Sequence, residues 1–277
     1  KDFISSVVIS LDGKYIVSGS SNYTIKIWDF KTGECLNTLE GHKDFISSVV
    51  ISLDGKYIVS LSDETIKIWN FKSGECLNTL EKHLKSIYSL KISQDGKYIV
   101  FRDDRKYDGK IKIFDFKSGE CLKTLERYNY MSISSDSKYI VSKGGQTIKI
   151  LDFKSGECLT TLEGHSKVKS VTISPDGKYI VSGSEDKTIK IWDFKSGECL
   201  NTLEGHKNSV TSVVISPDGK YIVSGSYDYT IKIWDIKSGE CLNTLVAGYG
   251  NFIESIVISP DGKYIVSRRY SNKKIKI

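Results

Sequence analysis

Residues 164–206 read GHSKVKSVTISPDGKYIVSGSEDKTIKIWDFKSGECLNTLEGH, and this stretch decides the fold. Four runs rich in β-branched and aromatic residues stand out: Val168–Ser174, Tyr179–Ser184, Thr188–Trp192 and Cys199–Leu203. Such runs are predicted strands. The pairs Asp176-Gly177 and Ser196-Gly197 supply turn chemistry between them. No segment keeps a 3.6-residue apolar period over ten residues, so no helix is predicted. Four strands joined by tight turns make a four-stranded antiparallel sheet. One such sheet cannot bury two apolar faces alone, so it must stack on copies of itself.

The copies are present. The string YIV starts at Tyr15, Tyr57, Tyr98, Tyr139, Tyr179, Tyr221 and Tyr264, in steps of 40 to 43 residues. Seven units fill the 277 residues at about 1–40, 41–81, 82–126, 127–163, 164–204, 205–245 and 246–277, with no linker between them. This repeat overrides the two domains that length alone would allow. The 39% hydrophobic and 27% charged composition is that of a soluble globular protein. No apolar run approaches the ~20 residues of a membrane-spanning helix. Much of the net charge of +6 is lysine recurring at fixed repeat positions, such as Lys26, Lys67, Lys190 and Lys232.

Two recurring dipeptides add a resemblance. Gly-His stands before the first strand at Gly41-His42, Gly164-His165 and Gly205-His206, and Trp-Asp ends the third at Trp28-Asp29, Trp192-Asp193 and Trp234-Asp235. With the period, the chain resembles the WD-repeat family across essentially its whole length. The resemblance implies an all-β, seven-bladed β-propeller of four-stranded antiparallel blades, with strands a to d running from axis to rim. The seventh blade lacks its outer strand within the chain. Since the family commonly closes its ring with an N-terminal d strand, a longer protein with covalent flanking domains upstream is expected. The resemblance further implies a hydrogen-bonded brace in single blades: His165, Ser182, Asp186 and Trp192 in blade five, and His206, Ser224, Asp228 and Trp234 in blade six. Blade two has His42, Ser60 and Trp69 with Asp63 for the acid, and blade one has Ser18, Asn22 and Trp28. No brace is expected in blade three (Phe101, Phe114), blade four (Leu151) or blade seven (Tyr249).

A Ser-His-Asp set repeated once per blade reads as scaffold rather than as a catalytic triad, which occurs once. The sequence holds no GxxxxGK[ST], HExxH or GxSxG string. The expectation is therefore a non-enzyme with no cofactor and no metal. Six cysteines, Cys35, Cys76, Cys121, Cys158, Cys199 and Cys241, share one GECL position on the rim strand. They are expected to be reduced and at least partly buried, which points to a reducing, cytoplasmic setting.

Positions where the copies differ need a cause beyond the scaffold. Blade three carries RDDRKYDGK (Arg102–Lys110) between strands b and c, and the loop into blade four is cut to Arg127, Tyr128, Asn129 and Tyr130. Blades six and seven gather Tyr227, Tyr229, Tyr249, Phe252, Arg268, Arg269 and Tyr270 in b–c and d–a loops, the family's top face, with Phe3 and Tyr23 of blade one as ring neighbours. Flat aromatic area with guanidinium forks suits a protein or peptide partner, with acidic groups favoured. The leading expectation is a non-catalytic interaction scaffold. A ligand-sensing domain of a nucleotide-switch signalling protein is the alternative. A nucleic-acid platform is the less favoured third, because the pI near 8.8 is modest.

Overall fold

The computed structural model describes the chain apart from residues 1–2, 63–64, 82–86, 104–108, 127, 129–130, 249–251, 270–274 and 277, and describes 81, 87–89, 103, 268–269 and 275–276 by backbone alone. All regular structure among the described residues is β-strand, so no helix there is long and apolar enough to cross a membrane. The chain forms two compact units, Lys1–Asn129 and Tyr130–Ile277.

The first unit holds three antiparallel sheets, each in sequential strand order. They are β1 to β4 (Ile4–Ile9, Tyr15–Ser20, Ile25–Asp29, Cys35–Leu39), β5 to β8 (Ile46–Ile51, Tyr57–Ser62, Thr65–Asn70, Cys76–Glu81) and β9 to β12 (Ile87–Ile92, Tyr98–Asp103, Lys110–Asp115, Cys121–Glu126). The second unit holds four. Three are four-stranded: β13 to β16 (Ser132–Ile133, Tyr139–Gly144, Thr147–Asp152, Cys158–Leu162), β17 to β20 (Val168–Ile173, Tyr179–Ser184, Ile189–Asp193, Cys199–Leu203) and β21 to β24 (Val210–Ile215, Tyr221–Ser226, Thr230–Asp235, Cys241–Val246). The last, β25 to β27 (Ile253–Ile258, Ile265–Arg269, Ile275–Lys276), has three strands, as the repeat count requires. Each sheet is one blade.

Turn chemistry explains the sharp corners. In the a–b turn of blade five the Ser174 hydroxyl donates to Asp176 at 2.6 Å and accepts the Tyr179 N–H at 2.9 Å. Gly177 holds φ +71, the left-handed region that costs a side chain about 1–2 kcal/mol. In the c–d turn the Asp193 carboxylate accepts the N–H groups of Lys195 and Ser196 at 3.0 and 2.7 Å. The aspartate of each Trp-Asp pair is thus a turn residue, and Asn70 does the same work in blade two.

Blades meet face to face. Val181, Ile189, Ile191 and Leu203 of blade five pack on Val210, Val213, Ile222 and Trp234 of blade six. In the first unit Val17, Ile25, Ile27 and Leu39 of blade one pack in the same way on Ile46, Val49, Ile58 and Trp69 of blade two. The contact is close at Gly183, where an added methyl would lie 2.6 Å from Val210 Cγ1.

Two expectations are corrected here. All six cysteines are free thiols, but each is exposed rather than partly buried. The reason is a β-bulge: Trp28 pairs with Cys35 and Ile27 with Asn37, so Leu36 is an extra residue on the outer strand. The same slip recurs in five other blades. It breaks the inward-outward alternation on a strand that is already the edge of its sheet, and both the cysteine and the following leucine face solvent. The second concerns the ends of two b–c loops. Arg102 and Asp103 belong to β10 and Lys110 to β11, with Asp103 paired to Lys110, which shortens the blade-three insertion.

Candidate functional site

The braces of blades five and six are one-way hydrogen-bond chains. Trp192 Nε1–H donates to Ser182 Oγ at 2.8 Å, and His165 Nε2 lies 2.8 Å from the same oxygen. His165 Nδ1 lies 2.8 Å from Asp186 Oδ2. A carboxylate only accepts, so Nδ1 carries the proton, Nε2 accepts from Ser182, and Ser182 accepts from the indole. Every polar atom is used with a neutral imidazole. Burial pushes His165 and His206 below the ordinary imidazole value even though Asp186 and Asp228 pull the other way. Burial opposes ionisation of Asp186, yet the Thr188 and His165 hydrogen bonds and two backbone N–H groups hold it well below the usual carboxylate range. Blade six repeats the chain with Trp234 to Ser224 at 2.8 Å, His206 to Ser224 at 2.7 Å and His206 to Asp228 at 2.8 Å.

The remaining blades vary this pattern. In blade two Thr65 Oγ1 lies 3.0 Å from His42 Nδ1, as Thr230 Oγ1 lies 3.2 Å from His206 Nδ1 in blade six, while Asp63 lies outside the described residues. Burial pushes His42 down to about 4, and the Lys67 charge acts in the same direction. Blade one keeps the Trp28 to Ser18 bond at 2.8 Å, with Lys26 over the indole at 5.5 Å, and Asn22 accepts the Thr24 hydroxyl at 2.7 Å as the brace aspartates do theirs. Blade three replaces the brace with a buried ring pair, Phe101 and Phe114, 5.2 Å apart. Blade four has Leu151 in place of the tryptophan, and the buried Ser142 hydroxyl has no partner among the described residues. His83 and Tyr249 lie outside the described residues.

The loop residues expected to meet a partner separate into three groups. Tyr227, Tyr229 and Phe252 come together in the second unit. The Tyr227 ring meets Phe252 edge-on at 5.2 Å, and Tyr229 stacks on Phe252 at 5.1 Å. Tyr227 is 40% exposed, and Tyr229 and Phe252 are half-buried. Tyr229 holds φ +68, a left-handed conformation that is unusual for a bulky side chain. Arg268 and Arg269 lie in β26 rather than in a loop, and the Arg268 backbone pairs with Ser255 and Ile275. Arg268 occupies the register of Gly183 and Gly225, the closely packed position of blades five and six. Tyr249 and Tyr270 lie outside the described residues.

A family profile described as "WD domain, G-beta repeat" matches residues 1–29, 33–70, 74–115, 156–193 and 197–235, well over half of the chain. The chain belongs to the WD40-repeat family. The matched segments omit 116–155, which contains Leu151 of blade four, and the residues beyond 235, whereas blade three with Phe101 and Phe114 is matched. Among curated proteins, the ribosome biogenesis protein BOP1 homologs of Drosophila grimshawi and Drosophila ananassae are each 49% identical over 39 residues. That of Drosophila melanogaster is 46% identical over the same length. The alignments span 14% of this chain and 5% of those proteins, the length of one repeat.

Membership clarifies what the brace can do. As in other WD40 repeats it ties strands together, and here it is closed to substrate: Ser182 is fully buried and its oxygen is already capped by the Trp192 indole. A nucleophile needs an open approach and a free proton path. Among the described residues no group of three His, Cys, Asp or Glu side chains could hold a metal ion. Sequence reasoning missed Thr188 and Thr230, which hold the brace aspartates by hydroxyl donation at 2.6 Å each. Their signal was present as the threonine two residues after each brace acid.

Proposed function

We propose that the chain is a non-catalytic protein-interaction scaffold that recognises a protein or peptide through the b–c and d–a loops of blades six and seven. The observation that carries this reading is the cluster of Tyr227, Tyr229 and Phe252. Its rings brace one another while Tyr227 stays open to solvent. Aromatic side chains held rigidly at a surface are characteristic anchors of protein interfaces. The blade scaffold does not require them, since blade five folds in the same register with Glu185 and Lys187 at the two tyrosine positions.

The finer reading is a partner with acidic groups, met by Arg268 and Arg269, in a reducing compartment where six exposed thiols stay reduced. The curated relatives are named for ribosome biogenesis. A match of one repeat supports an assembly role and names no partner.

Tyr227→Ala tests the reading. It should abolish capture of partners from the native source while leaving the melting temperature within about 1 °C, as surface substitutions do. Retention of every partner would move the interface away from blades six and seven. Arg268→Glu with Arg269→Glu tests the acidic preference separately, through the salt dependence of association.

A further inference from the structure

Blade six opens a junction that blade five closes. In blade five Lys167 and Lys169 reach the Glu185 carboxylate at 3.3 and 2.5 Å, tying the start of β17 to the b–c turn. The Glu185 N–H also donates to Lys167 O at 2.9 Å. The same register positions in blade six are Ser209, Thr211 and Tyr227. The backbone bond persists, with Tyr227 N–H donating to Ser209 O at 3.0 Å, but the ion pairs are gone. Thr211 turns inward and donates to Gly225 O and Ile253 O at 3.0 and 2.6 Å.

Ser209 is left over. It is 6% exposed, and its hydroxyl has no hydrogen-bond partner among the described residues. In blade one the equivalent pair is Phe3 and Ser21, and there the Ser21 hydroxyl accepts the Phe3 N–H at 2.8 Å. There the hydroxyl stands at the Tyr227 position and is satisfied from within the chain, whereas the Ser209 hydroxyl of blade six finds no partner among the described residues. A buried polar group without a partner is costly to keep. Beside it, joined through the backbone bond, stands the exposed Tyr227, whose ring leans on Phe252 and through it on Tyr229.

We propose that Ser209, Tyr227, Tyr229 and Phe252 form a peptide subsite. An extended partner segment satisfies the Ser209 hydroxyl with a main-chain amide and lays an apolar side chain on the three rings. The proposal deepens the scaffold reading above and rests on it. A peptide fits better than a nucleic acid. Single strands also stack on aromatic rings, but they need a track of free cations for their phosphates. None of the four subsite residues is cationic, and Lys167 and Lys169 of blade five are paired with Glu185.

The test uses the full chain and a displayed library of random peptides about twelve residues long. Peptides selected on the wild type are measured against two variants. Ser209→Lys with Tyr227→Glu transplants the blade-five junction, a pairing that this fold already accommodates. It should keep the melting temperature and weaken the selected peptides roughly tenfold or more. Ser209→Ala should leave the melting temperature unchanged or raised, because an unpaired hydroxyl is removed. It should weaken the peptides about fivefold, the worth of one hydrogen bond. A fall in melting temperature for Ser209→Ala would show that the hydroxyl is already bonded and would overturn the proposal. Selected peptides that bind the double variant equally well overturn the subsite but leave the scaffold reading standing. Failure to select any peptide overturns both. An oligothymidylate of similar length that binds the wild type and is lost in the double variant assigns the surface to nucleic acid instead.

Discussion

Ser182 Oγ is where three side chains from three parts of a blade meet, and its role shows why the tryptophan matters beyond its area. Trp192 buries its ring between blades and spends its only polar atom on Ser182. Trp192→Ala should cost about 3–5 kcal/mol, the range for truncating a buried aromatic, measured by chemical denaturation. A loss under about 1 kcal/mol would remove Trp192 from the brace. Blade four shows the natural counterpart: Leu151 fills the volume, but Ser142 is left without a partner. His42 supplies a pH test. Its folded value of about 4 lies below the ordinary 6.5, so the unfolded chain binds the proton first as pH falls. The stability it contributes is complete above about pH 6.5 and is lost as pH drops towards 4, by an amount on the order of 3 kcal/mol. His42→Gln should flatten the decline of melting temperature across that window, and an unchanged slope would mean that His42 titrates normally. The His-Ser-Trp members of the brace were legible in the sequence because they recur at fixed spacing. The threonines beside the imidazoles, Thr65 and Thr230, were not, because a threonine at the start of a strand reads as a β former rather than as a hydrogen-bond partner.

At the scale of strands and turns, recurrence in the sequence marked what the backbone needs, and less well what each face meets. All four strands of blade five fall within one residue of their expected ends, since alternation and turn pairs are local signals. The bulge on the outer strand was invisible, because a slipped register depends on the partner strand and not on composition. It turned the cysteines outward. Arg268 and Arg269 looked like loop residues because charge at the end of a strand resembles a loop. Hydrogen bonding from β25 and β27 carries the strand past them. Gly183 illustrates the same limit from the other side. As a residue it reads as a turn former, yet it sits mid-strand, because Val210 and Val213 of the next blade would lie 2.6 and 3.0 Å from an added methyl. Val210 is β-branched and fully buried, so it has little freedom to yield. Gly183→Ala should therefore destabilise by about 1–3 kcal/mol through overpacking. In contrast, Gly177→Ala, with open space around it, should cost only the left-handed strain of about 1–2 kcal/mol. Combining Gly183→Ala with Val210→Ala distinguishes the causes: recovery of stability relative to the additive expectation identifies the clash.

Across the whole molecule the six cysteines form a built-in probe of which outer strands are covered. Each occupies the same register position, each is exposed, and each sulfur lies within hydrogen-bond reach of its own strand. In blade five Cys199 Sγ lies 3.5 Å from Asn201 O and 3.9 Å from Thr202 Oγ1, and the other five repeat this arrangement. Because each thiol is exposed, alkylation should add little strain. A small alkylating reagent in native buffer should therefore modify all six at comparable rates, within about threefold. The adduct should leave the melting temperature within about 1–2 °C, since surface changes of this kind lie inside about 0.5 kcal/mol. Intact mass against time gives the count, and peptide mapping gives the order. Thiols that react only after denaturant is added would show that their outer strands are covered in solution. The covered set would then identify the blades that take part in assembly. Repeating the experiment with a captured partner separates the two kinds of surface. A partner seated on the Tyr227 cluster leaves all six thiols reactive, whereas one bound along the outer strands protects those of the blades it touches.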